Sequence, residues 1–338
     1  MSRTSDRVCL EGDPNQIDSF VACVVAVMHA WERPVSYDWV AGLAGVAFSP
    51  VLDERETCTA WWMESGSDAR VGFLGNVLGF TVDRVTREVP WDDAAREIYS
   101  TTGLLPEGHE VHFARLRAAF DRGDAVLLRT WPAWSVLTGW DQDLDALPFA
   151  TVPGFEDLVK GIWGPAQAQR AYLLNPIAAC YTLEKSIGLA LRFGSRLARG
   201  RGPDDELAYG AALYTATAAR LDDEIFCPSC GTAGDSCAHR TLMRMLGTQR
   251  SAVGFLEDAR ALTGDELPWD GAIGCFERMV EVTGEHCSWP AFQENWGDPA
   301  FRRRLQADLE RLSIMQLEAA DALTELSLAC DREFAIPS

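Results

Sequence analysis

The sequence lacks any apolar run near the roughly 20 residues that a membrane-spanning helix needs. Its first residues, MSRTSDRVCLEGDP, also lack the apolar stretch that a secretory signal peptide carries. These two absences argue against a membrane role and against secretion. The sequence therefore predicts a soluble cytoplasmic protein with no membrane partner.

Positive charge is scarce in this chain. There are 30 Lys and Arg residues against 50 Asp and Glu residues, which gives a formal net charge of −20 at pH 7. A field of this sign repels phosphate backbones, so we expect no nucleic-acid partner. Acidity also keeps proteins in solution, and this simpler explanation needs no special ligand.

Cysteine is too sparse for a disulfide scaffold, with ten residues in a chain of 338. Small secreted scaffolds rely on a much higher cysteine density. Reduced thiols in a cytoplasmic protein fit this pattern better. Six of the cysteines are scattered along the chain: Cys9, Cys23, Cys58, Cys180, Cys275 and Cys330.

Two domains are expected from the length and from the 47% hydrophobic content. Residues 1–178 mix helical and strand patterns, whereas residues 179–338 show helical periodicity only. A helix followed by antiparallel strands is the order of an α+β domain. We therefore predict an α+β domain at 1–178 and an all-α helical bundle at 179–338.

Local signals predict several elements. DARVGFLGNVLGF predicts a helix that Gly79 closes before a strand at TVDRV, and Ser36 is a natural N-cap for a short helix at SYDWVAGLAG. AVLLRTW, WSVLTGW and RAYLLNP read as strands. In the second half, helices are expected at 182–199, 204–222, 240–262, 268–283 and 299–330. The last of these carries a core stripe spaced by three and four: Leu305, Leu309, Leu312, Met315, Ala319, Leu323 and Leu326.

The segment NQIDSFVACVVAVMHAW, residues 15–31, places polar residues directly before a long apolar helix. The apolar character continues over four turns, which predicts a buried central helix. Asp18 or Ser19 is a natural N-cap for it. Residue 19 is therefore expected at the positive end of the helix dipole.

Four segments in order resemble the papain-like fold of bacteriocin-leader-processing peptidases: DSFVACVVAV, SYDWVAGLAGVAF, GDAVLLRTWPAWSVLTGWDQD and YLLNP. They are closer still to non-peptidase relatives, including the butirosin-type acyltransferase domain. The resemblance lies in motif order and spacing over residues 9–176. It implies a papain-like cysteine-peptidase-type domain with an oxyanion-hole Gln, a nucleophile at the helix start, a His base, and an Asp or Asn that orients this His.

The resemblance assigns these roles incompletely. Gln16 matches the oxyanion-hole Gln, although it lies closer to residue 19 than the peptidase spacing requires. The nucleophile position falls on Ser19, and the orienting position falls on Asn175. The base position falls within residues 133–135, which read Ala-Trp-Ser. The resemblance therefore implies a degenerate catalytic triad.

The missing base is the strongest argument against catalysis. The five histidines are His29, His109, His112, His239 and His286, and none lies in the strand that would present a base. A serine nucleophile is weak without a proton acceptor, whose loss alone costs about 10²–10⁴-fold in rate. Cys23 is an alternative nucleophile one turn further along, but an apolar helix would shield its thiol.

Trp62, Trp134 and Trp140 lie in the first domain, and Trp134 falls at the base position. Their simplest role is core packing. The alternative is an aromatic wall of a binding pocket in the residual cleft, and we take these three residues as candidate binding residues on that basis.

The segment FCPSCGTAGDSCAH brings together Cys227, Cys230, Cys237 and His239. Three thiolates and one imidazole form a closed tetrahedral set, which predicts a structural zinc ion. The second pair, C-x-H, is shorter than common ligand spacing. Free cysteines in a loop between helices, or a disulfide or redox role, are the alternatives.

Three functions remain open at this point. The first is a non-catalytic papain-like protein that binds a small molecule or peptide, with the helical half capping the cleft or mediating a homodimer. The second is an acyltransferase or amide hydrolase of the butirosin type that uses Ser19 or Cys23. The third is a scaffold or interaction protein of a biosynthetic pathway. The absent base favours the first.

Overall fold

The structure is a computed structural model that describes residues 3–4, 18–49, 51–53, 68–86, 97, 101–102, 109–130, 133–140, 149–151, 170–201, 207–221 and 234–334. The chain forms two compact units. Met1–Asp13, Ser19–Val35 and Gly66–Cys180 make up the first, and Pro14–Asp18, Ser36–Ser65 and Tyr181–Ser338 make up the second.

Helices and a small antiparallel sheet make up the described residues, which is the α+β composition that the sequence predicts. The strands are β1 Arg3–Thr4, β2 Val51–Asp53, β3 Phe80–Thr86, β4 Ala125–Thr130, β5 Ala133–Leu137, β6 Gly139–Trp140, β7 Phe149–Thr151, β8 Arg170–Pro176 and β9 Leu207–Tyr209. The helices are α1 Ser19–Ala30, α2 Tyr37–Leu43, α3 Asp68–Leu78, α4 His109–Arg122, α5 Leu183–Ala198, α6 Gly210–Arg220, α7 Gly234–Thr263, α8 Trp269–Gly284, α9 Trp289–Asn295 and α10 Pro299–Glu333.

The first unit is built on a five-stranded antiparallel sheet in the order β3-β8-β4-β5-β7. Helix α1 lies on one face of this sheet. The Phe20 ring, at its first turn, contacts Trp134 in β5, and the Trp31 ring, just after its last turn, contacts Phe80 in β3. Nine of the twelve α1 residues are buried, so the predicted buried central helix is confirmed.

The predicted turn between α3 and β3 is also confirmed. Gly79 has a φ of +83°, and a Cβ atom there would lie 2.6 Å from the Ile177 carbonyl oxygen. Only glycine fits this conformation without strain. The predicted cap of α2 is present too, because the Ser36 side chain accepts a hydrogen bond from the Trp39 N–H at 3.0 Å.

The second unit is mainly helical. Helix α10 packs against α5, α6 and α8, and α7 packs against α8 and α2. The predicted core stripe of α10 is buried along its whole length. Within the described ranges, no helix has the combination of length and apolar character that crossing a bilayer requires.

The boundary between the units differs from the single predicted boundary after residue 178. The chain passes from one unit to the other at residues 180 and 181, but residues 36–65 belong to the second unit. There, β2 pairs with β9, and α2 approaches α7 so closely that a Cβ atom on Gly42 would lie 2.1 Å from the Phe255 ring. Because these contacts join residues far apart in the sequence, no local sequence pattern predicts them.

Among the described residues, three elements of the second unit were not predicted: β2, β9 and α9. Strand β9 is only three residues long, and α9 lies in the segment EHCSWPAFQENWGDP, which reads as a break between helices. Pro290 stands in the first turn of α9, where a missing N–H costs nothing. The proline therefore begins a helix here instead of ending one.

Candidate functional site

Ser19 and Trp134 meet at the start of α1. Ser19 is the first residue of the helix and its side chain is nearly buried. The Trp134 backbone N–H donates a hydrogen bond of 2.9 Å to Ser19 Oγ. The nucleophile position and the base position named by the resemblance are thus adjacent, but a serine and a tryptophan occupy them.

The Trp134 side chain is a core residue. It is 1% exposed, it stacks on the Tyr172 ring with centroids 5.3 Å apart, and its edge meets the Phe20 ring at the same distance. A ring with so little exposed surface cannot line an open cleft. The Trp134 ring therefore packs between α1 and the sheet, which is the simpler of the two roles that the sequence suggests for it.

Asn175 does not join this pair. It lies on β8 opposite Thr81 of β3, whereas the strand register aligns Trp134 with Arg170 of β8 through Arg129. Asn175 is thus five residues further along, about 17 Å. Because side chains alternate along a strand, it also belongs to the opposite face of the sheet. Asn175 therefore does not lie beside Trp134, which is hydrogen-bonded to Ser19, and the three expected triad positions are not brought together.

No imidazole in the described part of the chain is hydrogen-bonded to Ser19. His29 is exposed, and its Nε2 lies 3.0 Å from the Val35 carbonyl oxygen. In the second unit, His239 bonds to the Cys287 carbonyl and His286 bonds to Asp308 at 2.8 Å. His112 is buried on α4, and the His109 side chain lies outside the described residues.

The alternative nucleophile, Cys23, has no exposed surface. It lies on α1 one turn beyond Ser19, among residues that are buried on both sides of it. Two thiols of the second unit are also protected, because burial raises the pKa of Cys287 and of Cys330 to about 11. Cys287 and Cys330 are therefore protonated at neutral pH and Cys23 is inaccessible, so none of the three thiols is a ready nucleophile.

Some predicted site residues fall outside the described residues. Gln16 and Trp62 do so entirely, as do Cys227 and Cys230. The backbone of Trp140 belongs to β6, opposite Arg3, but its side chain is not among those described.

The two described members of the Cys/His set lie at the start of α7. Cys237 is buried, and the partly buried His239 ring lies between Trp289 and Phe292, with centroids 4.9 and 5.3 Å away. His239 Nε2 lies 2.9 Å from the Cys287 carbonyl oxygen. Among the residues that the structure describes, no group of three or more potential metal ligands is found.

Sequence reasoning missed two positioning residues. Tyr172 stacks on Trp134. Its position in the predicted strand RAYLLNP is the sequence feature that could have indicated this packing role. Tyr37, in the second unit, accepts a hydrogen bond of 2.9 Å from the Asp18 backbone N–H. Burial, followed by the nearby Asp18 carboxylate, raises the pKa of Tyr37 well above its usual range. Its hydroxyl therefore stays protonated at neutral pH.

Comparison with protein-family models gives no match for this chain, and comparison with curated proteins gives none either.

Proposed function

We propose that the chain is a non-catalytic protein of papain-like organisation that acts by binding a small molecule or a peptide. The observation that carries this proposal is the hydrogen bond that the Trp134 backbone N–H donates to Ser19 Oγ, which puts a tryptophan beside the serine. An indole has no acceptor atom, so Trp134 cannot take a proton from the Ser19 hydroxyl. General-base activation, which a serine nucleophile needs, is therefore missing at this position.

Binding is favoured over a remaining transferase or hydrolase activity because the alternative nucleophile is inaccessible. Attack requires the sulfur to reach a carbonyl carbon of the substrate, and Cys23 is fully buried within α1. The Trp134 ring is buried as well. The proposed ligand must therefore contact other side chains than these two.

Ser19→Ala tests the proposal. We expect neither the wild-type protein nor this variant to gain an acyl group on incubation with acyl thioesters, as measured by intact-mass spectrometry. We also expect the variant to lose about 1–3 kcal/mol of unfolding free energy, because the buried Trp134 N–H is left without its acceptor.

Ser36→Ala is the matched control, since it removes the same hydroxyl from the exposed N-cap of α2. It should cost about 1 kcal/mol and change no mass spectrum. An acyl adduct on the wild-type protein that disappears in Ser19→Ala, but not in Ser36→Ala, would identify Ser19 as a nucleophile and refute the proposal.

We also propose that Cys227, Cys230, Cys237 and His239 hold one structural zinc ion. The support is the set of ligand types in the sequence together with the His239 ring, whose Nε2 lies against a backbone carbonyl oxygen. Such a bond leaves Nδ1 as the nitrogen with a lone pair, and zinc-binding histidines commonly make it with the nitrogen that does not bind the metal. A zinc ion with four protein ligands has a structural role.

Metal analysis of protein purified without chelator is expected to give one zinc ion per chain. Cys237→Ser should reduce this stoichiometry and the melting temperature. Cys275→Ser, at a buried cysteine of α8 outside the set, should leave the zinc content unchanged. A stoichiometry near zero for the wild-type protein would rule the site out.

A further inference from the structure

Helix α10 presents an apolar face to solvent in addition to its buried stripe. Ile314, Leu317 and Leu328 are 61%, 42% and 52% exposed. They are three of the six large hydrophobic side chains that are exposed within the described residues. Ile314 and Leu328 are four helical turns apart, so both point in nearly the same direction. Apolar side chains that share one exposed helix face are a common feature of protein–protein interfaces.

Charged residues flank this face in a symmetric order. Glu310 lies one turn before Ile314, and Arg332 lies one turn after Leu328. Asp321 is the midpoint of this set. Ile314 and Leu328 are each seven residues away from it, and Glu310 and Arg332 are each eleven residues away. Seven and eleven residues correspond to about two and three helical turns, so all five residues share one face. All five are exposed.

We propose that this face binds the same face of a second copy of the chain, with the two α10 helices antiparallel about a two-fold axis at Asp321. Ile314 then packs against Leu328 of the other copy, and Glu310 lies opposite Arg332. Each contact occurs twice, as in any isologous interface. A parallel arrangement is disfavoured because it places Glu310 opposite Glu310 and Arg332 opposite Arg332. This inference does not depend on the function proposed for the first unit.

The charge at the proposed axis is balanced within each copy. Two Asp321 carboxylates would repel each other, but Arg199, the residue directly after α5, forms a salt bridge of 2.5 Å with Asp321 Oδ1 in the same chain. One mismatch remains, because Glu325 lies opposite Leu317 of the other copy. The segment 310–332 spans only about 33 Å. We therefore expect a small interface and a dimer that dissociates on dilution.

Charge reversal tests the arrangement. In sedimentation equilibrium at physiological salt, over a wide concentration range, the wild-type chain is expected to show reversible dimers. Glu310→Arg or Arg332→Glu alone should weaken dimerisation at least tenfold, because each places like charges opposite each other twice. The double variant should recover most of the affinity, since both pairs are restored with opposite sign.

Apolar variants provide the matched control. Leu328→Glu should abolish the dimer, whereas Leu262→Glu, at an exposed leucine of α7, should not. These positions are exposed, so all the variants are expected to fold, which circular dichroism can verify. A wild-type chain that stays monomeric, or a double variant as weak as the single ones, would overturn the proposal and leave the face to a different partner.

Cross-linking tests the position of the axis. Asp321→Cys should form a disulfide-linked dimer on mild oxidation, because the two copies of residue 321 meet. Ala307→Cys is the control on the same face of α10, two heptads from the axis, and it should give only the wild-type background. Efficient cross-linking through residue 307 and not 321 would contradict the antiparallel register.

Discussion

Gly210→Ala is expected to unfold the second unit or to destabilise it by about 4 kcal/mol or more. Gly210 begins α6 with a φ of +49°, and a Cβ atom there would lie 2.1 Å from the Ala198 carbonyl oxygen and 2.4 Å from that of Leu197. Both obstacles are backbone atoms, which cannot move aside as a side chain can. The shift would also break the hydrogen bond from the Gly210 N–H to Ser49 Oγ.

Thermal unfolding followed by circular dichroism measures this effect. Gly271→Ala is the matched control, because Gly271 lies in α8 with no atom within 4 Å of the added Cβ position. That variant should be neutral or up to about 1 kcal/mol more stable, as alanine favours helix. If both variants melt together with the wild-type protein, the close approach of Gly210 to the end of α5 is incorrect.

Trp134→Ala is expected to cost about 3–5 kcal/mol of unfolding free energy. The indole is almost fully buried between the rings of Phe20 and Tyr172, so its removal leaves a cavity between α1 and the sheet. The loss should come from packing alone. Trp134 Nε1 has no hydrogen-bond partner among the described residues, so no hydrogen bond is lost with the ring.

Trp134→Phe separates packing from hydrogen bonding. It keeps an aromatic ring against Tyr172 and removes the indole N–H, and we expect it to cost about 1–2 kcal/mol. Denaturant unfolding of the two variants side by side gives the comparison. A phenylalanine variant as unstable as the alanine variant would mean that the indole N–H has an essential partner, and would reopen the assignment of Trp134 to the core.

The sequence was informative where a signal lies within a few residues. Ser36 caps α2, Gly79 closes α3 before β3, and the leucine stripe of α10 is buried, all as predicted. Each depends on local chemistry, namely a capping hydroxyl, a positive φ, or a spacing of three and four.

The sequence was less informative where long-range pairing decides the outcome. The position of Asn175 on the far face of the sheet follows from the register of β8, which a strand pattern alone does not specify. The burial of Trp134 depends on Tyr172, 38 residues away along the chain. The membership of residues 36–65 in the second unit depends on Phe255 and on β9, which come much later.

The pairing of β2 with β9 sets an order of events during synthesis on the ribosome. Residues 51–53 leave the exit tunnel long before their partner strand at 207–209 exists. At a translation rate of about 5–20 residues per second, the wait lasts roughly 8–30 seconds. Throughout that interval the nascent chain carries β2 without its partner strand, so the second unit cannot complete its fold before β9 has been synthesised.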